Sequence, residues 1–181
     1  MEWEFYLLNY IQEHFHNDFL DKLMPLISML GFLGILWVVI AVAALITKKY
    51  RAFGISLSID LLVNLVVCNA ILKPIVNRIR PYDLNNTVSL LVAAEIDPSF
   101  PSGHTFFAFG AATVFFFYNK KVGILMYLLA AAIAFSRLYL YIHFHSDVAF
   151  GAFFGIITAV IAHYMEKMVM SLKNPSEQTE E

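Results

Sequence analysis

The sequence predicts an all-α fold, a polytopic membrane bundle of about five transmembrane helices preceded by an N-terminal interfacial helix. Three observations carry this. Of 181 residues, 60% are hydrophobic and 14% charged, whereas soluble domains run nearer half apolar and a quarter charged. Residues 23–47 contain no charge at all, and about twenty apolar residues span a bilayer core as a helix. Further apolar runs of that order recur along the chain, separated by short basic or polar punctuation. The mean hydropathy is +0.69.

Residues 1–22 mix Trp3, Phe5, Leu7, Leu8, Ile11, Phe15, Phe19 and Leu20 with Glu2, Glu4, Glu13, Asp18 and Asp21. That is too charged to span and suits a helix lying in the interface. The first span, residues 23–47, ends at Lys48-Lys49-Tyr50-Arg51; the second, residues 52–72, is apolar except for Asp60, Asn64 and Asn69. Asp60 and Asn64, four apart, read as a helix–helix hydrogen-bonding pair. A polar segment covers residues 73–100. The third span is residues 102–118, stopped by Asn119-Lys120-Lys121; the fourth is residues 122–142, with Arg137 near its end; the fifth is residues 148–165. Gly151 and Gly155 in the fifth form a small-xxx-small pair suited to close packing. Residues 1–173 form one membrane-embedded domain, and residues 174–181 read as a disordered polar tail.

Charge narrows the function. A formal net charge of -2 argues against a nucleic-acid partner. The single Cys68 excludes an internal disulfide and a cysteine-cluster metal site. The start, MEWEFYLLNY, has neither a basic n-region nor a small-residue cleavage site, so it does not read as a cleaved signal peptide. Alternating five spans puts Lys48, Lys49, Arg51, Lys120, Lys121, Lys167 and Lys173 on one side and makes that side cytoplasmic. The chain is thus expected in a cell membrane, with the opposite, extracytoplasmic face carrying the site described next.

That face collects ionisable groups expensive near lipid, which mark function by default. Lys73-Pro-Ile-Val-Asn-Arg-Ile-Arg80-Pro81 sets two cations between prolines that fix local geometry, and Arg80 suits bidentate anion binding. Pro101-Ser102-Gly103-His104 immediately precedes an apolar helix, whose N-terminal N–H groups favour an anion. The third stretch runs from Ser136-Arg137 to His143-Phe-His-Ser-Asp147. Ser136 and His143, seven apart, fall on one helix face, and a carboxylate at Asp147 is placed to orient His143 if helical geometry persists. Three cations with helix N–H groups match a phosphate-like dianion, and two histidines supply a nucleophile and a general acid. No acidic cluster or His/Cys ligand set is evident, so neither a metal nor another cofactor is expected.

Taken together, Lys73-x6-Arg80-Pro81, Pro101-Ser102-Gly103-His104 and Ser136-Arg137-x5-His143-x3-Asp147 resemble the three signature motifs of the type 2 phosphatidic acid phosphatases. The resemblance implies that His143 attacks phosphorus, Asp147 holds its ring and His104 protonates the leaving oxygen. It also implies that Lys73, Arg80, Arg137, Ser102 and the Gly103 N–H bind the phosphate, without metal. His145 departs from the family, where proline is common. The implied partner is a lipid phosphate in the bilayer. Undecaprenyl diphosphate is the first choice, with phosphatidic acid or phosphatidylglycerophosphate the alternative. Arg78 has two open readings, a contact to a second phosphate or a snorkelling interface cation. Two other classes suit the same pocket, a vanadate-dependent haloperoxidase and a non-catalytic lipid-phosphate carrier. The oligomeric state is not legible.

Overall fold

The computed structural model describes residues 2–173; the tail expected from residue 174 lies outside them. Nine α-helices form the described chain: α1 (Glu2–Phe15), α2 (Asp18–Leu30), α3 (Ile35–Ile46), α4 (Arg51–Asn64), α5 (Lys73–Val76), α6 (Pro81–Leu84), α7 (Gly103–Tyr118), α8 (Lys120–Tyr139) and α9 (His145–Lys173). There is no strand among the described residues. Side-chain caps set two of the starts. Asn17 Oδ1 accepts from the Phe19 and Leu20 N–H groups at α2, and Asn119 Oδ1 from those of Lys121 and Val122 at α8.

The amphipathic segment at the N-terminus departs from expectation. It is two helices, because Asn17 caps a new one and sends Asp18–Lys22 into α2. The first apolar run is likewise divided. Gly31 and Gly34 break it, Gly34 with a left-handed φ of +67°, and α2 and α3 meet at 42°. The second run continues past Asn64 as a π-helix over Leu65–Leu72 into α5, so that helix runs unbroken from Lys48 to Val76. Among the described residues, three segments are long and apolar enough to span, Lys48–Leu84, Lys120–Tyr139 and His145–Leu172, and the bent pair makes a fourth. The third expected span, α7, has 16 residues, about 24 Å at 1.5 Å per residue.

α7 is the central helix, packed against α8, α9 and α4. Its small residues Ala108, Ala111 and Ala112 are fully buried with Trp37, Leu57, Ile133 and Ala159. Large apolar side chains such as Val39, Leu125, Leu128 and Phe153 face outward, as a lipid-facing surface requires. A second apolar cluster, including Leu8, Met24, Tyr82, Leu140 and Phe144, lies at the end that holds the motifs. Between α4 and α9, Asn64 Nδ2 donates to Asp60 Oδ2 (3.1 Å), and Thr158 Oγ1 lies against both side chains.

Gly151 and Gly155 are where α9 meets α7. A Cβ at Gly151 would stand 2.8 Å from the Ser102 carbonyl oxygen, and one at Gly155 would stand 2.3 Å from that of Phe106. Both obstacles are backbone, so neither can swing aside. Gly155→Ala is expected to lower the thermal unfolding midpoint in detergent, at an overpacking cost of about 1–3 kcal/mol. An unchanged midpoint would show that α9 does not rely on this close approach.

Candidate active site

Three breaks in regular helix bring the motifs to one end of the bundle. Lys73 enters α5 directly from the π-helix, Arg80 stands at the N-cap of α6, and a turn follows α8. In that turn Tyr141 adopts a φ of +59°, a strained value for a non-glycine residue. Its hydroxyl is held by donating to Asn9 Oδ1 (2.8 Å) and accepting from Asn85 Nδ2 (3.1 Å). The reversal returns the chain inward and buries His143.

Lys73, Arg80 and Arg137 are all buried, so each needs an anion or carbonyl in reach. Lys73 Nζ pairs with the Asp97 carboxylate and donates to the Pro98 carbonyl (3.1 Å). Arg80 donates through Nε to the Asp97 carbonyl (2.8 Å) and through Nη2 to Asp97 Oδ1 (2.7 Å), and the same Nη2 forms an ion pair with Glu95 Oε2 at 2.7 Å. Its Nη1 donates to His143 Nε2 (3.3 Å). Arg137 bonds Glu95 and Ser28. His143 Nε2 lies 3.9 Å from Glu95 Oε2. One carboxylate, Glu95, therefore sits at the meeting point of two guanidiniums and the imidazole. Burial would raise its pKa, but the Arg137 and Arg80 guanidiniums outweigh that and hold it at about 2. These pairs contribute stability fully above the ordinary value near 4.5, and it is lost as pH falls toward 2. Asp97 is lowered too: burial opposes, and Lys73 followed by Arg80 prevails.

Burial, then Arg80 and Arg137, hold His143 well below its ordinary pKa, against the opposing pull of Glu95. The ring is therefore neutral at physiological pH. With Arg80 donating to Nε2, the ring proton belongs on Nδ1, which faces Asp147 Oδ2 at 3.6 Å and Ser99 Oγ at 3.5 Å. Asp147 Oδ2 accepts from Ser99 Oγ (2.5 Å) and from the Phe144 N–H (2.9 Å).

The expected helical relation of His143 to Asp147 does not occur. α9 starts at His145, so Asp147 reaches back as a first-turn acceptor. Nor do Ser136 and His143 share a helix face, since α8 stops at Tyr139 and the Ser136 hydroxyl donates to the Ile133 carbonyl (2.6 Å).

Ser102 is buried beside the pair, its N–H donating to the Asp147 carbonyl (3.0 Å) and its hydroxyl accepting from Thr105 (3.0 Å). Gly103 and His104 line a cavity of about 700 Å³ with Lys73, Glu95, Phe32 and Phe107. A Cβ at Gly31 would lie 3.0 Å from His104 Cδ2, so the break between α2 and α3 is shaped to the His104 ring. All eight residues singled out by the motifs thus gather at one end. Sequence reasoning missed Glu95, Asp97 and Ser99, although three cations without counter-charge were the signal for the first two. Arg78 fits neither reading given it: its Nη1 donates to Asp147 Oδ1 (2.7 Å) and its Nη2 pairs with Glu4. His145 packs edge-on against Trp3, ring centroids 4.2 Å apart.

The chain is a helical membrane bundle that sets a buried histidine among fixed cations at one end. Residues 38–171 match the PAP2 superfamily; the chain belongs to that family and is a hydrolase of phosphate esters. It is 31% identical over 152 residues to an undecaprenyl-diphosphatase of Sulfolobus acidocaldarius, covering 83% of this chain and 71% of that one. It is 36% identical over 85 residues to the bacitracin transport permease protein BcrC of Bacillus licheniformis, 47% of this chain but only 42% of that protein. Among solved structures, LpxE of Aquifex aeolicus aligns at a TM-score of 0.72 with 28% identity, covering 87% of this chain and 93% of that one. The PAP2-type phosphatidylglycerolphosphate phosphatase of Bacillus subtilis aligns at 0.71 with 24% identity, covering 93% and 86%, and shares the fold.

Glu95 competes with any external anion for Arg80 and Arg137. Glu95→Gln is therefore expected to lower the inhibition constant for orthovanadate several-fold. A constant that rises or stays the same would mean Glu95 does not occupy the anion position.

Proposed function

We propose that the chain is an integral-membrane lipid phosphatase working through a phosphohistidine on His143, with undecaprenyl diphosphate as substrate and undecaprenyl phosphate as product. The observation that carries the mechanism is the convergence of Arg80, Arg137 and His143 Nε2 on one carboxylate. A phosphoryl group taking that place meets two bidentate-capable cations and a nucleophile at once. Lys73, the Ser102 hydroxyl and the Gly103 N–H complete the phosphate cradle.

The steps balance simply. His143 Nε2 forms a bond to phosphorus as the bond to the leaving oxygen breaks, and His104 gives that oxygen its proton. Water then attacks the phosphohistidine, His104 takes a proton from it, and orthophosphate leaves. Asp147, with Ser99, holds the Nδ1 proton throughout. No step requires a metal. His104 faces the cavity, so the leaving group and its lipid tail lie there, against Phe32 and Phe107. The undecaprenyl-diphosphatases of Sulfolobus acidocaldarius and of Bacillus subtilis, the latter 26% identical over 133 residues, support a polyprenyl diphosphate. The phosphatidylglycerolphosphate phosphatase neighbour shares the fold alone, so phosphatidylglycerophosphate and phosphatidic acid are the alternatives.

In excess chelator, the wild-type chain should release phosphate from undecaprenyl diphosphate faster than from either glycerolipid. His143→Ala should abolish turnover and phosphoenzyme. His104→Ala should lose about 10²–10⁴-fold with a lipid leaving group but much less with an activated aryl phosphate. Activity that requires an added divalent ion, or equal losses on both leaving groups, would overturn these assignments.

We further propose that the site faces the extracytoplasmic side of a cell membrane. Lys48, Lys49, Arg51, Lys120 and Lys121 lie at the turns away from it, as the positive-inside rule expects of a cytoplasmic face. In a Cys68→Ser background, a cysteine at Asn86 should react with an impermeant thiol reagent in intact cells, and one at Lys120 should not. The reverse pattern would place the site in the cytoplasm.

A further inference from the structure

Helix α1 is fastened to the site by its inward face. That face buries Glu4, Leu8 and Ile11, while Trp3, Tyr6 and Tyr10 are exposed on the other, as suits an interfacial aromatic belt. Glu4 is 4% exposed, and an acidic side chain so buried is costly unless paired. Its two oxygens accept from Arg78 Nη2 and from Ser146 Oγ. Arg78 Nη1 donates in turn to Ser146 Oγ and to Asp147 Oδ1, both 2.7 Å, and the guanidinium lies 4.1 Å over the Phe144 ring. Two more bonds tie α1 to the turn that carries His143: Gln12 Nε2 to the Tyr139 carbonyl (2.9 Å) and the Tyr141 hydroxyl to Asn9 (2.8 Å).

We propose that Glu4 is a positioning residue for the nucleophile, acting through Arg78 and Asp147 on His143. The physical reason is the sharing of one guanidinium. Alone beside Asp147, Arg78 would draw the carboxylate into a bidentate pair and away from the imidazole. Glu4 takes the second nitrogen of Arg78. Only Asp147 Oδ1 is then engaged by the cation, and Oδ2 stays turned toward Ser99 and His143 Nδ1. The interfacial helix thereby becomes part of the catalytic apparatus, although it contributes no group that touches substrate.

This rests on the phosphohistidine reading of His143, and the experiment separates the two. The full-length chain in detergent is compared with Glu4→Gln, Arg78→Gln and the double variant. Measured are kcat, KM, the pH profile of kcat/KM, the rate of phosphoenzyme formation and the thermal unfolding midpoint. The other charged groups facing His143, namely Arg80, Arg137, Lys73 and Glu95, are the same throughout.

Glu4→Gln should lower kcat and phosphoenzyme formation about tenfold with KM changed less than about twofold. Its acid limb should move to lower pH, because the unshared Arg78 charge disfavours a proton on His143. The double variant should be no slower than Arg78→Gln alone, since both act through one link. Wild-type kcat and pH profile in Glu4→Gln, losses that multiply in the double variant, or a loss matching only a fall in folded protein would each overturn the proposal. A wild-type chain that forms phosphoenzyme while Glu4→Gln forms it equally fast removes this inference and leaves the reading of His143 intact. A wild-type chain that forms none removes both.

Discussion

Three buried cations need an anion, and much of the site follows from that need. Lys73, Arg80 and Arg137 come from separate stretches of chain and are withdrawn from water in one place. Uncompensated, such a cluster would cost several kcal/mol per ion even after relaxation. The loop between α6 and α7 answers it with Glu95 and Asp97, which explains why so long a segment without regular structure is held close against the bundle. Burial, reinforced by the same cations, lowers the His143 pKa and so favours a free Nε2 lone pair. On the proposed mechanism, a phosphate group would bring to the two guanidiniums the paired oxygens that Glu95 supplies internally.

The helical scaffold is broken where the motif residues gather. The glycines between α2 and α3 make room for His104, the π-helix delivers Lys73 and the left-handed Tyr141 turns His143 inward. π-Helical segments and sparsely populated backbone angles gather at functional sites because the surrounding packing has to sustain them. Here that packing is the close approach of α7 and α9, made possible by glycine, together with the apolar cluster under α1. At the far end, by contrast, Asn119 caps α8 with its side chain.

What was legible in the sequence was the chemistry that residue type alone constrains. Cations beside prolines, a Ser-Gly-His run at a helix start and a histidine with a nearby carboxylate point to an anion site without knowledge of the fold. What was hidden depends on who faces whom. Glu95 and Asp97 look like ordinary loop acids until the cations they neutralise are known to be buried. Glu4 looks like an interface charge, yet it points inward to Arg78, a pairing 74 residues apart. Hydropathy located the apolar runs well but overstated their continuity. It cannot see that Asn17 restarts a helix, that two glycines bend one, or that α7 is only 16 residues long.

The central claim is that substrate phosphate takes the place Glu95 now holds among Arg80, Arg137 and His143. A structure of the full chain with orthovanadate bound tests it most directly. The expected result is vanadium bonded to His143 Nε2, its oxygens on both guanidiniums, and the Glu95 side chain swung out of the cluster. Vanadate bound elsewhere, with Glu95 still bridging Arg80 and Arg137, would contradict it.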